Sequence, residues 1–281
     1  LYTTYQTGSS NRKYGRSLLV TVDHVPSCYA CAVHAQSHRR TPNHRLLPAF
    51  DKQDEIFSNA FSVLQEAIAH RAFPAASIAV TVNGELRGRK ACGTLVYETD
   101  SAGAPLLASS ARSGNLDSIS SATIFDLASL TKPIATTTMA AILYERGQLE
   151  LDAPVIGILP EFRSTSDLRR DQVTFHMLLS HSSGLPAYEK LFLKTRSRDE
   201  LLNAALATPL TTDPGSRAEY SDIGFILLGL TLERLSGEPL NVFCQREIFG
   251  RLAMSNTTFN PPEGIRPSIP PTADECVEAT T

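Results

Sequence analysis

From Asp51 onward, apolar and polar positions fall into regular patterns. In "DEIFSNAFSVLQEAIAHRAF", Phe57, Ala60, Phe61, Leu64 and Ile68 recur on one helical face, which predicts an amphipathic helix lying over a core. The following "SIAVTVNGELRGRKACGTLVYE" alternates instead. Asn83-Gly84 sits where a two-residue hairpin turn needs positive φ, so this stretch predicts an antiparallel hairpin. Residues 99–122 are rich in Ser, Ala and Gly without any period, and predict a long surface loop.

The second half reads as mainly helical. A helix after Lys132 should run to "YERGQ", with Arg146 in its last turn and Gly147 in the left-handed position beyond it. A shorter helix should start at Thr174, capped by its hydroxyl and flanked by a Val173–Leu178 apolar staple, and stop at Gly184 and Pro186. After a turn at Pro214-Gly215, "YSDIGFILLGLTLERLSG" predicts an apolar helix closing at Gly237, and another helix should run from Pro239 to Gly250. A hairpin followed by many helices indicates an α+β class, of α/β sandwich type, without internal repeats.

Composition sets bounds on this picture. With 281 residues the chain is long enough to bury about 70% of its unfolded surface. A net charge of −3 provides no basic field, so neither nucleic acid nor an anionic membrane is indicated, and a small molecule is the expected partner. No apolar run has the length of a bilayer span, and "SLLVTV" (17–22) is too short for a signal-peptide core, so the compartment is left open. Residues 1–50 hold four of the seven histidines and six Lys or Arg against one acid, and read as a poorly ordered basic arm. Within it Cys28, Cys31, His34 and His38 are metal-competent types. Their spacing is tighter than a zinc finger and lacks an apolar framework, so a bland segment is the preferred reading and no metal is expected. The five scattered cysteines do not form a disulfide framework.

The candidate chemistry lies in "FDLASLTKPIATTTMAAIL". Ser129 and Lys132 are three apart, hence on one helical face, and the amine can reach the hydroxyl. A lysine desolvated at a positive helix N-terminus would have a lowered pKa and accept the serine proton. Pro133 has no N–H and belongs in a first turn, which puts Ser129 at the helix entrance. Taken alone, the motif is weak, and Ser129 or Thr131 as an ordinary cap is the preferred reading. In "AEYSDIGF", Tyr220 directly precedes a helix start, and a phenol near an ammonium can shuttle protons. Its bland alternative is a buried aromatic, and for Ser221 or Asp222 a helix cap.

Four ordered motifs, "FDLASLTKPIATT", "VTFHMLLSHSSGLP", "AEYSDIGFILLG" and "RLAMSNTTFNP", resemble the serine β-lactamase-related superfamily. The likeness is especially to the branch holding class C β-lactamases, D-alanyl-D-alanine peptidases and family VIII esterases. It extends over roughly residues 51–262, leaving 1–50 as the arm and 263–281 as an irregular polar tail. The resemblance implies an α+β fold of β-lactamase/transpeptidase type and a hydrolase working through an acyl-enzyme on an ester, amide or β-lactam, without cofactor. Ser129 would be the nucleophile, Lys132 its activating partner and Tyr220 the general base and acid. The Ser129 N–H would be one oxyanion donor. Asp222 stands where the family's Tyr-x-Asn motif has Asn. A carboxylate accepts but does not donate, so the substrate-binding role implied for this position is weakened. His181 would support the site by hydrogen bonding, and His176 would pack.

The family's third motif, a Lys, His or Trp followed two residues later by Gly, has no counterpart, because no Lys, His or Trp follows Asp222. The resemblance therefore leads us to expect a truncated or split chain, an unpaired hairpin edge, and a catalyst short of one oxyanion donor. A catalytically inactive remnant or penicillin-binding sensor-like module is the alternative. No G-x-S-x-G occurs, which gives an α/β-hydrolase elbow no support.

Overall fold

A computed structural model describes residues 52–70, 72–95 and 119–270 of the chain. The Cys28–His38 array, the arm of residues 1–50, most of the 99–122 loop and residues 271–281 lie outside the described residues. The chain divides into two compact units, and the described part of one spans Leu127–Pro261. The other holds the hairpin with its flanking helices and the segment after Pro261.

In the hairpin unit the expected amphipathic helix is present, but broken in two. α1 (Gln53–Ile56) and α2 (Ser58–Ala69) meet at Phe57, whose φ of −106° and ψ of 19° fall outside the helical basin. Phe61 is the fully buried member of the predicted stripe, Phe57, Leu64 and Ile68 are half-buried, and Ala60 is exposed. β1 (Ala75–Val82) and β2 (Glu85–Gly93) pair antiparallel, with Val82 opposite Glu85, and form the two-stranded sheet seen among the described residues. The turn between them has Asn83 at φ 54° and Gly84 at φ 77°. Both angles suit the primed turn that matches strand twist. Gly88 lets a ring lie on the sheet: a Cβ there would sit 2.8 Å from Phe57. Part of the expected irregular tail, Glu263–Ser268, forms a 3₁₀ turn.

The helical unit holds the main core. Its chain enters through a 3₁₀ turn (Ala128–Leu130), passes through a π-helical turn (Lys132–Thr137) and continues as α3 (Thr138–Glu145). Pro133 lies second in the π turn, where its missing N–H costs nothing. Gly147 adopts φ 67° beyond the last turn, as the pattern predicts. α4 (Phe175–Leu179) is capped by Thr174, whose hydroxyl accepts from the Met177 N–H at 3.2 Å. α5 (Leu191–Lys194) and α6 (Arg198–Ala207) follow, the latter capped by Ser197. α7 (Asp222–Ser236) starts under a Ser221 cap and stops at Gly237 with φ 73°. α8 (Leu240–Cys244) runs on into a second π turn, Gln245–Phe249.

α7 is apolar on most of its circumference because it is packed on most of its circumference. Ile223, Leu227, Leu228 and Leu232 are buried against Met139 and Leu143 of α3, Leu178 of α4 and Phe243 of α8. Arg170 is buried too, and its guanidinium donates to the carbonyls of Phe162, Leu206 and Thr208, tying two loops to α6. α3 and α7 are therefore fixed through a common core, and the turns that lead into α3 and the residues at the entrance of α7 carry Ser129, Lys132, Tyr220 and Asp222. No described helix is long and apolar enough to cross a membrane.

Candidate active site

Ser129 is exposed in the 3₁₀ turn that leads into the π turn. The turn closes through the Leu130 N–H donating to the Leu127 carbonyl at 2.9 Å and the Thr131 hydroxyl donating to the Ala128 carbonyl at 2.6 Å. Thr131 thus acts on the preceding turn, and Ser129 makes no helix-capping bond of its own. Ala128 adopts φ 44°, a left-handed conformation unusual for a residue with a Cβ. The three-residue spacing brings the Lys132 Nζ to 3.3 Å from the Ser129 Oγ.

The second wall is the start of α7. The Ser221 hydroxyl accepts from the Gly224 N–H at 3.1 Å and donates to the Pro186 carbonyl at 2.7 Å. The Asp222 N–H donates to the Ala187 carbonyl at 3.2 Å, and the Glu219 N–H to the His181 carbonyl at 2.7 Å. Ser221 fills the capping role, which leaves Asp222 free to reach inward. Tyr220, 48% exposed, is held between these anchors and donates its phenol proton to the Ser129 Oγ at 2.8 Å.

His181 closes the arrangement from behind. The Ser221 N–H donates to its Nδ1 at 3.0 Å, which leaves that nitrogen unprotonated and puts the ring proton on Nε2. Its ring lies 4.6 Å from that of Tyr220 and 4.9 Å from that of Phe225. Burial pushes the His181 pKa down, and the neighbouring Lys132 charge lowers it further against the opposing pull of Asp222. His181 is therefore a neutral acceptor near pH 7. His176 lies in α4, and its N–H donates to the Leu151 carbonyl at 2.8 Å.

Lys132 departs from the sequence expectation. Burial does pull its pKa down, but hydrogen bonds to Asp222 and Tyr220 and the charges of both outweigh burial, so the net shift is upward. The Nζ lies 2.6 Å from the Asp222 Oδ1. The expected lowered lysine pKa is thus overturned by partners some 90 residues further along the chain, the Asp222 carboxylate foremost and Tyr220 with it. Lys132 also lies 5.1 Å from the Tyr220 ring centre and 5.8 Å from that of Phe225. Phe225 was not singled out from the sequence. Its signal was spacing, because it falls three residues after Asp222 on α7 and so shares that face.

The structure thus brings Ser129, Lys132, Tyr220, Asp222 and His181 together within the helical unit. A family model described as Beta-lactamase matches residues 60–272. The chain belongs to the beta-lactamase family. Within it, the chain is 31% identical over 206 residues to N-acetylmuramyl-L-alanine amidase of Bacillus subtilis (strain 168), covering 69% of this chain and 45% of that protein. It is 32% identical over 225 residues to esterase EstB of Burkholderia gladioli, covering 74% of this chain and 53% of that one. A class C beta-lactamase structure superposes with a TM-score of 0.61 at 21% identity, covering 78% of this chain and 55% of that one, which supports the β-lactamase/transpeptidase-like fold. The chain spans about half the length of these relatives.

Proposed function

We propose that this beta-lactamase family member is a serine hydrolase that forms an acyl-enzyme on Ser129 from a small ester, amide or β-lactam. One observation carries the reading: the Ser129 Oγ lies 2.8 Å from the Tyr220 Oη and 3.3 Å from the Lys132 Nζ. A serine hydroxyl is a weak nucleophile until a neighbour takes its proton, and both candidate neighbours are within reach. The relatives named an amidase and an esterase support amide and ester substrates.

In this reading Tyr220 acts as phenolate, and the same short contact runs in reverse, with Ser129 donating. As the Oγ attacks the acyl carbon, its proton passes to the Tyr220 oxygen. When the tetrahedral adduct collapses, that proton goes to the leaving oxygen or nitrogen as the bond to the acyl carbon breaks. Water then repeats the sequence and releases the acid. Lys132 stabilises the phenolate and the developing charge, and the Ser129 N–H serves the oxyanion.

Labelling tests this directly. A tagged β-lactam and a fluorophosphonate, each followed by peptide mass spectrometry, should modify Ser129 and leave Ser129→Ala unlabelled. Modification mapped elsewhere, or retained in Ser129→Ala, would sink the assignment. Labelling of Ser129 without turnover of simple esters would instead identify a penicillin-binding sensor-like module.

A further inference from the structure

We propose that Asp222 is a positioning residue whose carboxylate clamps the Lys132 side chain as an ammonium, so that Lys132 serves Ser129 as a fixed donor and positive charge rather than as its proton acceptor. The proposal deepens the serine hydrolase reading and rests on it for the catalytic consequence. The clamp itself is a matter of geometry.

Asp222 is the first residue of α7, and its backbone is fixed by the Ala187 carbonyl. The Oδ1 meets the Lys132 Nζ at 2.6 Å, a short, charge-assisted hydrogen bond. The pair is mostly shielded, with the lysine side chain 15% and the aspartate side chain 33% exposed. An Asn at this position would keep a hydrogen-bond acceptor for Lys132 but would remove one negative charge. That charge is the difference the site must register. The groups facing Lys132 are Ser129 on its own segment, Tyr220 and Asp222 at the start of α7, and His181 in the loop behind. A carboxylate beside this set raises the proton affinity of Lys132 and of His181. Its removal must therefore move both towards acid.

Asp222→Asn and Asp222→Glu, made in the full chain, separate a charge effect from a packing effect. The first readout is Lys132 itself, probed by trace acetylation with acetic anhydride across a pH series and quantified by peptide mass spectrometry. Asp222→Asn should bring the reactivity midpoint of Lys132 down by about one pH unit or more, and Asp222→Glu should hold it near wild type. The second readout is the rate of Ser129 labelling by the fluorophosphonate against pH, whose whole profile should slide towards acid in Asp222→Asn and stay in place, at reduced height, in Asp222→Glu. An unchanged lysine midpoint in Asp222→Asn overturns the clamp. So does a loss of labelling rate with an unshifted profile, or equal displacement of both profiles by both variants. If wild type shows no Ser129 labelling at any pH, the hydrolase reading fails, and the lysine midpoints still decide the clamp.

Discussion

His181 provides the sharpest test of how the site is held together. Replacement by Ala would remove two things. The Ser221 N–H would lose its acceptor, and Ser221 is 1% exposed, so water would not replace it readily. A buried unpaired donor costs about 1–3 kcal/mol. The ring contacts with Tyr220 and Phe225 would go, at about 0.5–1.5 kcal/mol. The expected loss for His181→Ala is therefore roughly 2–4 kcal/mol. His181→Asn is the discriminating variant, because its Oδ1 can stand in for Nδ1 and Asn tolerates the left-handed region. It should lose only about 1 kcal/mol, the ring contacts alone.

Urea unfolding at fixed pH, with unchanged slope, measures both. The pH dependence adds a second signature. The folded His181 pKa lies below its unfolded value of about 6.5, so the native state binds fewer protons. Its contribution to stability is present above that value and is lost as pH falls through the lower folded pKa. The wild type should therefore lose stability relative to His181→Asn on acidification. Equal destabilisation by Ala and Asn, or a wild-type minus Asn difference that is flat between pH 7 and 5, would refute the assignment of His181 as a neutral acceptor.

Two backbone positions near the site yield further expectations. Ala128→Gly should stabilise the chain by about 1 kcal/mol in urea, because Gly adopts the φ of 44° without the Cβ clash, and a loss of stability would show that the turn is unstrained. Gly184→Ala should cost about 3 kcal/mol by thermal or urea unfolding, since its φ is 82° and a Cβ would sit 2.3 Å from the Thr212 carbonyl oxygen, and a neutral result would mean the loop moves freely.

Much of the fold was legible because it rests on local signals. Asn83-Gly84 fixes the hairpin turn, Thr174 and Ser221 supply caps, and Gly147 and Gly237 end helices, each through a preference that acts within a few residues. The break at Phe57 was not legible. It depends on how the ring packs on the sheet beside Gly88, a contact between segments far apart in sequence. α6 is hard to read from the sequence because its buried residues, Leu201, Ala205 and Leu206, are not set apart from Leu202, Ala204 and Ala207, which gives a weak periodic signal. The two π turns were invisible for a related reason, since nothing in "KPIATT" or "QREIF" distinguishes five-residue from four-residue hydrogen bonding.

The candidate site shows the same division between near and far. The spacing of Ser129 and Lys132 is local and was readable, and so was the capping chemistry that lets Ser221 free its neighbour. The charge state of Lys132 was not, because two opposing influences act on it and only one is local. Burial near a helix start, inferred from Pro133, argues for a lysine that gives up its proton easily. The Asp222 carboxylate, 2.6 Å away, argues the reverse, and together with Tyr220 it outweighs partial burial. From the sequence, Asp222 was weighed as a substrate contact that had lost its donor. In the fold it faces Lys132, so under the proposed mechanism a carboxylate in place of an amide bears first on how Ser129 would lose its proton and only then on what the site would bind.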